Sequence, residues 1–352
     1  MMTLRGMSMA QYKKAKGIRT PWIPHGAGME SVGLAENEIV ATYRKQLQEL
    51  HGLLKEFYLA ADPKDGVLTY PEIARDGRLK GLLFSVQNKV DAAFYSRAQI
   101  LRKNLRRGYN NAYTDILYQA EKIAYASQIR GKEGVLAWDT RIRTAREIAR
   151  DEEFEEFMRL ESDKLADTLG ANIEREREYS KQRLQYTLKA ALTGAGVTLR
   201  DWYTVLRDET DKSAGRMLRI VRTQGNHIIN EARVSAFRSE FAEHLLDVLG
   251  AKDGNLTDEA GDRLVLVWRH DEPKMPRPWH IHDLDYTVAD KAGLWWSSHT
   301  GKSARAPGGF NDPAEDAYCR CYLQLMPLSE VRGMSTNKGV IPVPADYIGG
   351  AA

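Results

Sequence analysis

Cysteine is nearly absent from this chain: 352 residues hold two, Cys319 and Cys321, one residue apart. Two thiols in so long a chain exclude a disulfide framework, and a ring closed across one intervening residue would strain the bond. No run of about 18 apolar residues is present, so the sequence predicts no transmembrane helix and no membrane partner. The opening stretch "MMTLRGMSMAQYKKAKGIR" is charged and has no apolar h-region, so it does not read as a signal peptide. The expectation is synthesis in a reducing cytosol. A nucleophile elbow, a paired-glycine loop and an HExxH pair are all missing. "SSHTGKSAR" ends like a phosphate loop at Gly301-Lys302-Ser303, but Trp296 stands where the first glycine is required, and an indole there would obstruct the backbone cradle. The formal net charge of +3 is too small to imply nucleic-acid binding by itself. There is no long internal repeat.

What is present is mostly helical patterning. After an irregular arm (1–30) containing "RTPWIPHGAGME", Val40, Leu47, Leu50, Leu54 and Phe57 recur at three- to four-residue steps, apart from one double gap. "AADPKDGVLTYPE" is a turn-rich break. A second, long helix carries Leu83, Val86, Val90, Phe94, Leu101 and Leu105 and continues through "YTDILYQAEKIAYASQ". "RGKEG" at 130–134 is the next break. From 135 to about 185 the chain is dense in Glu, Arg and Lys, which predicts long exposed helices with i,i+4 ion pairs or a coiled-coil seam to a partner. "LTGAGVTLRDWYTVL" is punctuation: Gly194 and Gly196 allow a sharp helix end, and Thr198 with Asp201 resembles a capping box. The following helix has two faces. Leu218, Val221, Gly225, Ile228 and Ala232 form an apolar stripe, with a glycine where another backbone can approach. Arg222, Asn226 and Asn230 form a polar stripe suited to hydrogen-bonding neighbouring loops or carbonyls. "RLVLVW" (263–268) reads as a strand within a compact α+β piece, and 328–352 as an extended tail. The fold class predicted is α+β, predominantly α-helical. A long-helix N-terminal region (31–184) is followed by helices over 185–250 and a small α+β module over 260–327.

Chemistry-bearing residues concentrate late. His270, His280, His282 and His299 precede the two cysteines. Residues i and i+2 on a strand share a face, so His280 with His282 and Cys319 with Cys321 are candidate ligands for a tetrahedral zinc. The alternative is that the cysteines are small buried strand residues while the histidines cap loops. Asp271, Glu272, Asp283 and Asp285 lie beside these histidines. They suit either a metal-dependent hydrolase or loops pinned by salt bridges and Asp turns. Two basic clusters are candidate phosphate contacts: Lys13, Lys14, Lys16 and Arg19 in the arm, and Arg102, Lys103, Arg106 and Arg107 further on. Solvated faces are the plainer reading.

Five segments in order carry a resemblance. "ALTGAGVTLRDW" is a helix end and turn. "RIVRTQGNHIINEAR" places Arg222, Thr223, Gln224, Asn230 and Ala232. "LVLVW" is a strand. "RPWHIHDLD" follows, and then "AYCRCYL". This sequence of features over 185–327 resembles the phage Mu F-type minor head protein, or phage head morphogenesis, family. Gln224 stands where that family usually has an acidic residue, and Tyr286 where a glycine is common. Asp271 and Arg277 fall on its polar signature together with Arg222, Thr223 and Asn230, and His280 or His282 on its histidine. The resemblance implies a non-enzymatic component of tailed-phage heads, present in few copies and associated with the portal vertex. It would enter the procapsid in the host cytoplasm and end in the virion head. The partners implied are the portal, other head proteins and packaged DNA, with a role in packaging or ejection. The competing expectation is a metal-dependent hydrolase or toxin-like enzyme built on the His/Asp/Cys cluster.

Overall fold

The computed structural model describes residues 28–74, 77–130, 152–193, 196–238, 250–252, 255–257, 261–269, 287–289, 293–297, 300–317, 319, 321–333, 335–336 and 339–340. The basic arm, the break after residue 130 and the His280–Asp285 stretch lie outside the described residues. The chain divides into two units whose boundaries differ from those read in the sequence. One comprises residues 33–104 and 166–221; the other comprises 28–32, 105–165 and the chain from 222 onward.

Long helices build the first unit. In α1 (Met29–Ala60) the spacing read from the sequence is a buried stripe, and Tyr43 fills the double gap between Val40 and Leu47. After a 3-10 turn (Lys64–Gly66) and a short α2 (Tyr70–Ala74), α3 (Arg78–Arg130) buries Leu83, Val86, Val90, Phe94 and Leu101. The seven-residue gap between Phe94 and Leu101 is occupied by Arg97, 0% exposed. In α4 (Glu152–Leu192) the sequence looked poor in apolar positions. The helix nevertheless buries a full stripe, Leu169, Ile173, Glu176, Ser180, Leu184, Leu188 and Leu192, by using two polar residues as core members. Among the described residues its local ion pairs include Arg159 with Glu156 and Lys181 with Glu178, both spaced i,i+3, and Arg177 and Lys181 also reach Asp91 of α3 at 3.6 and 3.2 Å. Such half-exposed pairs contribute little each.

The turn before α5 (Leu199–Arg238) follows the capping logic closely. Thr198 Oγ1 accepts from the Asp201 N–H at 3.2 Å, and Asp201 Oδ2 accepts from the Thr198 N–H at 3.3 Å. Aspartate thus serves where the box prefers Glu or Gln. Gly196 has φ 97°, and a Cβ there would lie 2.5 Å from Val67 Cγ1, because Leu68 and Val197 bridge through paired backbone hydrogen bonds of 3.0 and 2.9 Å.

A buried polar layer joins these helices. Glu176 Oε1 accepts from Ser180 Oγ (2.8 Å) and Ser213 Oγ (3.0 Å), Arg216 Nε donates to Glu176 Oε2 (2.8 Å), and Ser213 Oγ lies 3.0 Å from Tyr43 Oη. Arg97 Nε donates to Thr42 Oγ1 at 2.9 Å, its Nη2 donates to the Gln46 carbonyl, and its Cζ sits 3.3 Å from the Tyr43 ring centroid. Burial pulls the Arg97 pKa down to about 10, against the opposing pull of Tyr43 and Glu176.

In the second unit α3 continues with Leu105, Tyr109, Ala112, Tyr113 and Ile116 buried, and α5 continues with Ile228, Ile229 and Ala232. Gly225 does admit a neighbour, but it is the Val32 side chain, at 3.0 Å from the site of a Cβ, rather than another backbone. Short pairs β1 (Gly250–Lys252) with β2 (Asn255–Thr257), β5 (Trp295–Trp296) with β6 (Ser303–Ala304), and β8 (Ser335–Thr336) with β9 (Gly339–Val340) accompany a three-stranded antiparallel sheet. That sheet is ordered β4 (Thr287–Val288), β3 (Leu264–Arg269), β7 (Tyr322–Pro327), and the strand read from "RLVLVW" is its centre. β3 and β7 pair from Leu264 with Pro327 to Arg269 with Tyr322. Residues 328–333, read in the sequence as the start of an extended tail, form instead the helix α7. Leu328 and Val331 of α7 join Val265, Val267, Val288 and Met326 in the sheet's core. Trp268 packs between Trp295 and Phe310 at centroid distances of 5.4 and 5.8 Å. The fold is α+β and predominantly α-helical, as expected.

Candidate functional site

The polar stripe of α5 meets the cysteine-bearing segment. Asn230, 0% exposed, donates through Nδ2 to the Cys321 carbonyl at 3.1 Å, and its Oδ1 accepts from the Leu323 N–H at 3.1 Å. The same oxygen accepts from Arg233 Nη1 at 3.2 Å, and Nδ2 also donates to the Asn226 carbonyl at 2.9 Å. Its hydrogen-bonding capacity is therefore consumed. Two residues further along β7, the Leu325 N–H donates to Gln119 Oε1 of α3 at 2.9 Å, and Gln119 Nε2 donates to Asp115 Oδ2 at 2.8 Å. Asp115 lies 3.9 Å from Arg233. Burial lowers the Arg233 pKa, while Asp115 and Tyr322 act to raise it. Alternate N–H groups of β7 point to β3, so Leu323 and Leu325 present theirs on the other side, where side-chain amides from two helices receive them.

Beside this node, α6 (Pro313–Asp316) and its preceding loop sit on His227. Gly308 has φ 83°, and a Cβ on Gly309 would lie 2.8 Å from His227 Cε1, so the glycine pair lets the loop rest on the imidazole. Asp316 accepts from the Phe310 and Asp312 N–H groups at 3.0 and 3.1 Å, and Asp312 Oδ1 caps α6 by accepting from the Ala314 N–H at 2.8 Å. Burial raises the Asp316 pKa, with Cys319 adding to the rise, while the two backbone N–H groups and His227 act against it. Glu315 is buried and accepts from Ser297 Oγ and, at 3.3 Å, from Thr300 Oγ1.

Both cysteines are buried and neither is in a disulfide, Cys319 in the turn that closes α6 and Cys321 just before β7; neither lies within the strand on which they were expected. Their candidate zinc partners His280 and His282 lie outside the described residues, as do Asp271, Arg277, Glu272, Asp283 and Asp285. Among the described residues no group of three His, Cys, Asp or Glu side chains is placed to hold a metal ion. Arg222 and Thr223 are half-buried on α5. "GKS" ends the loop of the β5–β6 hairpin and enters β6: Ser297 N–H donates to Lys302 O at 2.8 Å, and Lys302 Nζ pairs with Asp312 at 2.9 Å. Arg102, Lys103, Arg106 and Arg107 are exposed on α3, with Arg102 3.4 Å from Asp167; Lys13, Lys14, Lys16 and Arg19 lie outside the described residues.

Sequence reasoning missed Asp115, Gln119, Arg233 and His227. Asp115 and Gln119 stand i,i+4 inside a tyrosine- and alanine-rich helix, and Arg233 follows Asn230 by one turn; that spacing was the available signal. Among the described residues no helix is long and apolar enough to cross a membrane. Compared with protein-family models, with curated proteins and with solved structures, the chain finds no match.

Proposed function

We propose that this chain is a minor head protein of a tailed bacteriophage, acting in head morphogenesis at or near the portal, with the portal, other head proteins and packaged DNA as partners. The reading rests on five family-like segments in order. One observation carries it. Asn230, from "RIVRTQGNHIINEAR", bonds to the backbone of Cys321 and Leu323, from "AYCRCYL", across 91 and 93 residues of chain. Two segments read separately in the sequence meet in one hydrogen-bonded node, where Asn230 is engaged with backbone groups and with Arg233. An assembly part needs this kind of polar residue, one that fixes loops and strands.

The test is co-expression of the chain with the genes that flank its own, followed by purification of proheads. The expected result is the chain in proheads at few copies, lost from them when the portal gene is omitted. Its absence from particles overturns the proposal. So does hydrolysis by the purified chain with one zinc per chain, both removed by Cys319→Ala/Cys321→Ala, which is the outcome the hydrolase reading requires.

A further inference from the structure

The outer face of α4 carries Arg175, Tyr179, Gln182, Tyr186 and Lys189, all exposed, at the three- and four-residue steps of one helical stripe. Tyr179 is 47% and Tyr186 64% exposed. Both rings stand on one stripe with its cations between and beside them. α5 runs antiparallel beside this stripe, as three rungs show: Arg216 to Glu176, Arg183 to Glu209 at 3.5 Å, and Trp202 Nε1 to the Leu188 carbonyl at 3.2 Å. A cation stands against each ring, Arg216 from α5 at Tyr179 and Arg183 from α4 itself, one turn before Tyr186. Arg216 Cζ lies 4.6 Å from the Tyr179 centroid, and Arg183 Cζ 5.9 Å from that of Tyr186.

Charge on this face is lopsided. Arg175, Arg183, Lys189, Lys212 and Arg216 supply five cations. The carboxylates beneath them are Glu176 and Glu209, whose side chains are only 7% and 6% exposed. Lys212 and Arg183 share Glu209, which leaves one positive charge over. The neighbouring acids Glu174 and Glu178 are taken up by Arg177 and Lys181 on the flank toward Asp91, and Asp208 of α5 by Arg207. Excess positive charge suits any polyanion. The rings narrow the choice. They stand seven residues apart, about 10 Å along the axis, each backed by a guanidinium. Bases stack on such platforms only when a strand is unpaired, since a duplex keeps its bases inside.

We propose that this α4–α5 face binds single-stranded nucleic acid, with Arg175, Arg183, Lys189 and Lys212 on the phosphates and bases stacked on Tyr179 and Tyr186. The inference stands on this geometry and not on the virion reading.

The probe is a fluorescein-labelled oligothymidylate of about 20 nucleotides, long enough for an aromatic-lined site. It is titrated with the full chain at about 50 and 200 mM salt and read by anisotropy. The expected result is binding that weakens steeply with salt. Tyr179→Ala/Tyr186→Ala should lower affinity about tenfold or more, whereas Tyr179→Phe/Tyr186→Phe should retain it. Both pairs should melt like the parent, because the rings are exposed. Arg175→Gln/Lys189→Gln should flatten the log–log salt slope by about 1.4. The proposal fails if the chain does not bind, if a duplex of equal length binds as tightly, or if the alanine pair leaves affinity unchanged. It also fails if that pair only dissociates a dimer. None of these outcomes bears on incorporation into proheads, so the two proposals fail separately.

Discussion

Asn230 has no spare hydrogen-bonding capacity, and everything it bonds is buried. Asn230→Ala should strand the Leu323 N–H and the Cys321 carbonyl away from water, at about 1–3 kcal/mol for each unsatisfied group. We expect a total loss of about 2–4 kcal/mol, read as a lower urea midpoint at unchanged m-value. Asn230→Asp keeps the acceptor that serves Leu323 and Arg233 and loses the donors to the Cys321 and Asn226 carbonyls. Its loss should be smaller, because the new carboxylate lies beside a guanidinium. Equal losses for the two variants would mean that the Leu323 bond does not matter. This residue was legible in the sequence, on a polar stripe that pointed to neighbouring carbonyls. Its acceptors were not, because a helix pattern does not say which strand will lie against it.

At the scale of elements, the polar layer of the first unit separates two kinds of buried charge. Glu176 is answered by Arg216 and by two serines, so Glu176→Ala should leave a guanidinium and two hydroxyls without their acceptor. The expected cost is about 2–4 kcal/mol, below the full penalty of a completely buried pair because Arg216 is part-exposed. The direct contacts of Arg97 among the described residues are neutral oxygens and the Tyr43 and Phe94 rings, with Glu176 acting on it through charge alone. Arg97→Met should therefore stay within about 1 kcal/mol of the parent, since the relieved desolvation offsets the lost bonds. Urea titration of both variants decides the matter, and the ranking fails if Arg97→Met is the worse of the two. Helices were read well where apolar residues recur, as in α1, α3 and the capped start of α5. They were read poorly where polar residues take core positions. Arg97, Glu176 and Ser180 break the apolar period, so α4 looked like an exposed helix although it buries a full stripe. The sheet was legible only at β3, whose run is long enough to show; β4, β5 and β6, of two residues each, carry no period at all.

For the whole molecule, two partly buried carboxyls should act on acid stability with opposite signs. Burial works against the Glu209 carboxylate, but hydrogen bonds and charge from Lys212 and Arg183 win and hold its pKa below the ordinary glutamate value. Its contribution is full above pH of about 4.3 and disappears as pH falls through the lowered folded value. Asp316, raised mainly by burial, acts the other way: its contribution is full below the ordinary aspartate pKa of about 3.9 and is lost as pH rises through the raised value. Glu209→Gln should therefore flatten the acid limb of the melting profile between about pH 3 and 5, and an unchanged limb would refute the assignment. The helper amides on β7 have one more consequence. A strand at the margin of a sheet ordinarily offers its spare N–H groups to any passing extended chain, and so invites aggregation or strand addition. Here Gln119 and Asn230 have already claimed two of them, so β7 cannot serve as a template for a foreign strand unless both helices first let go.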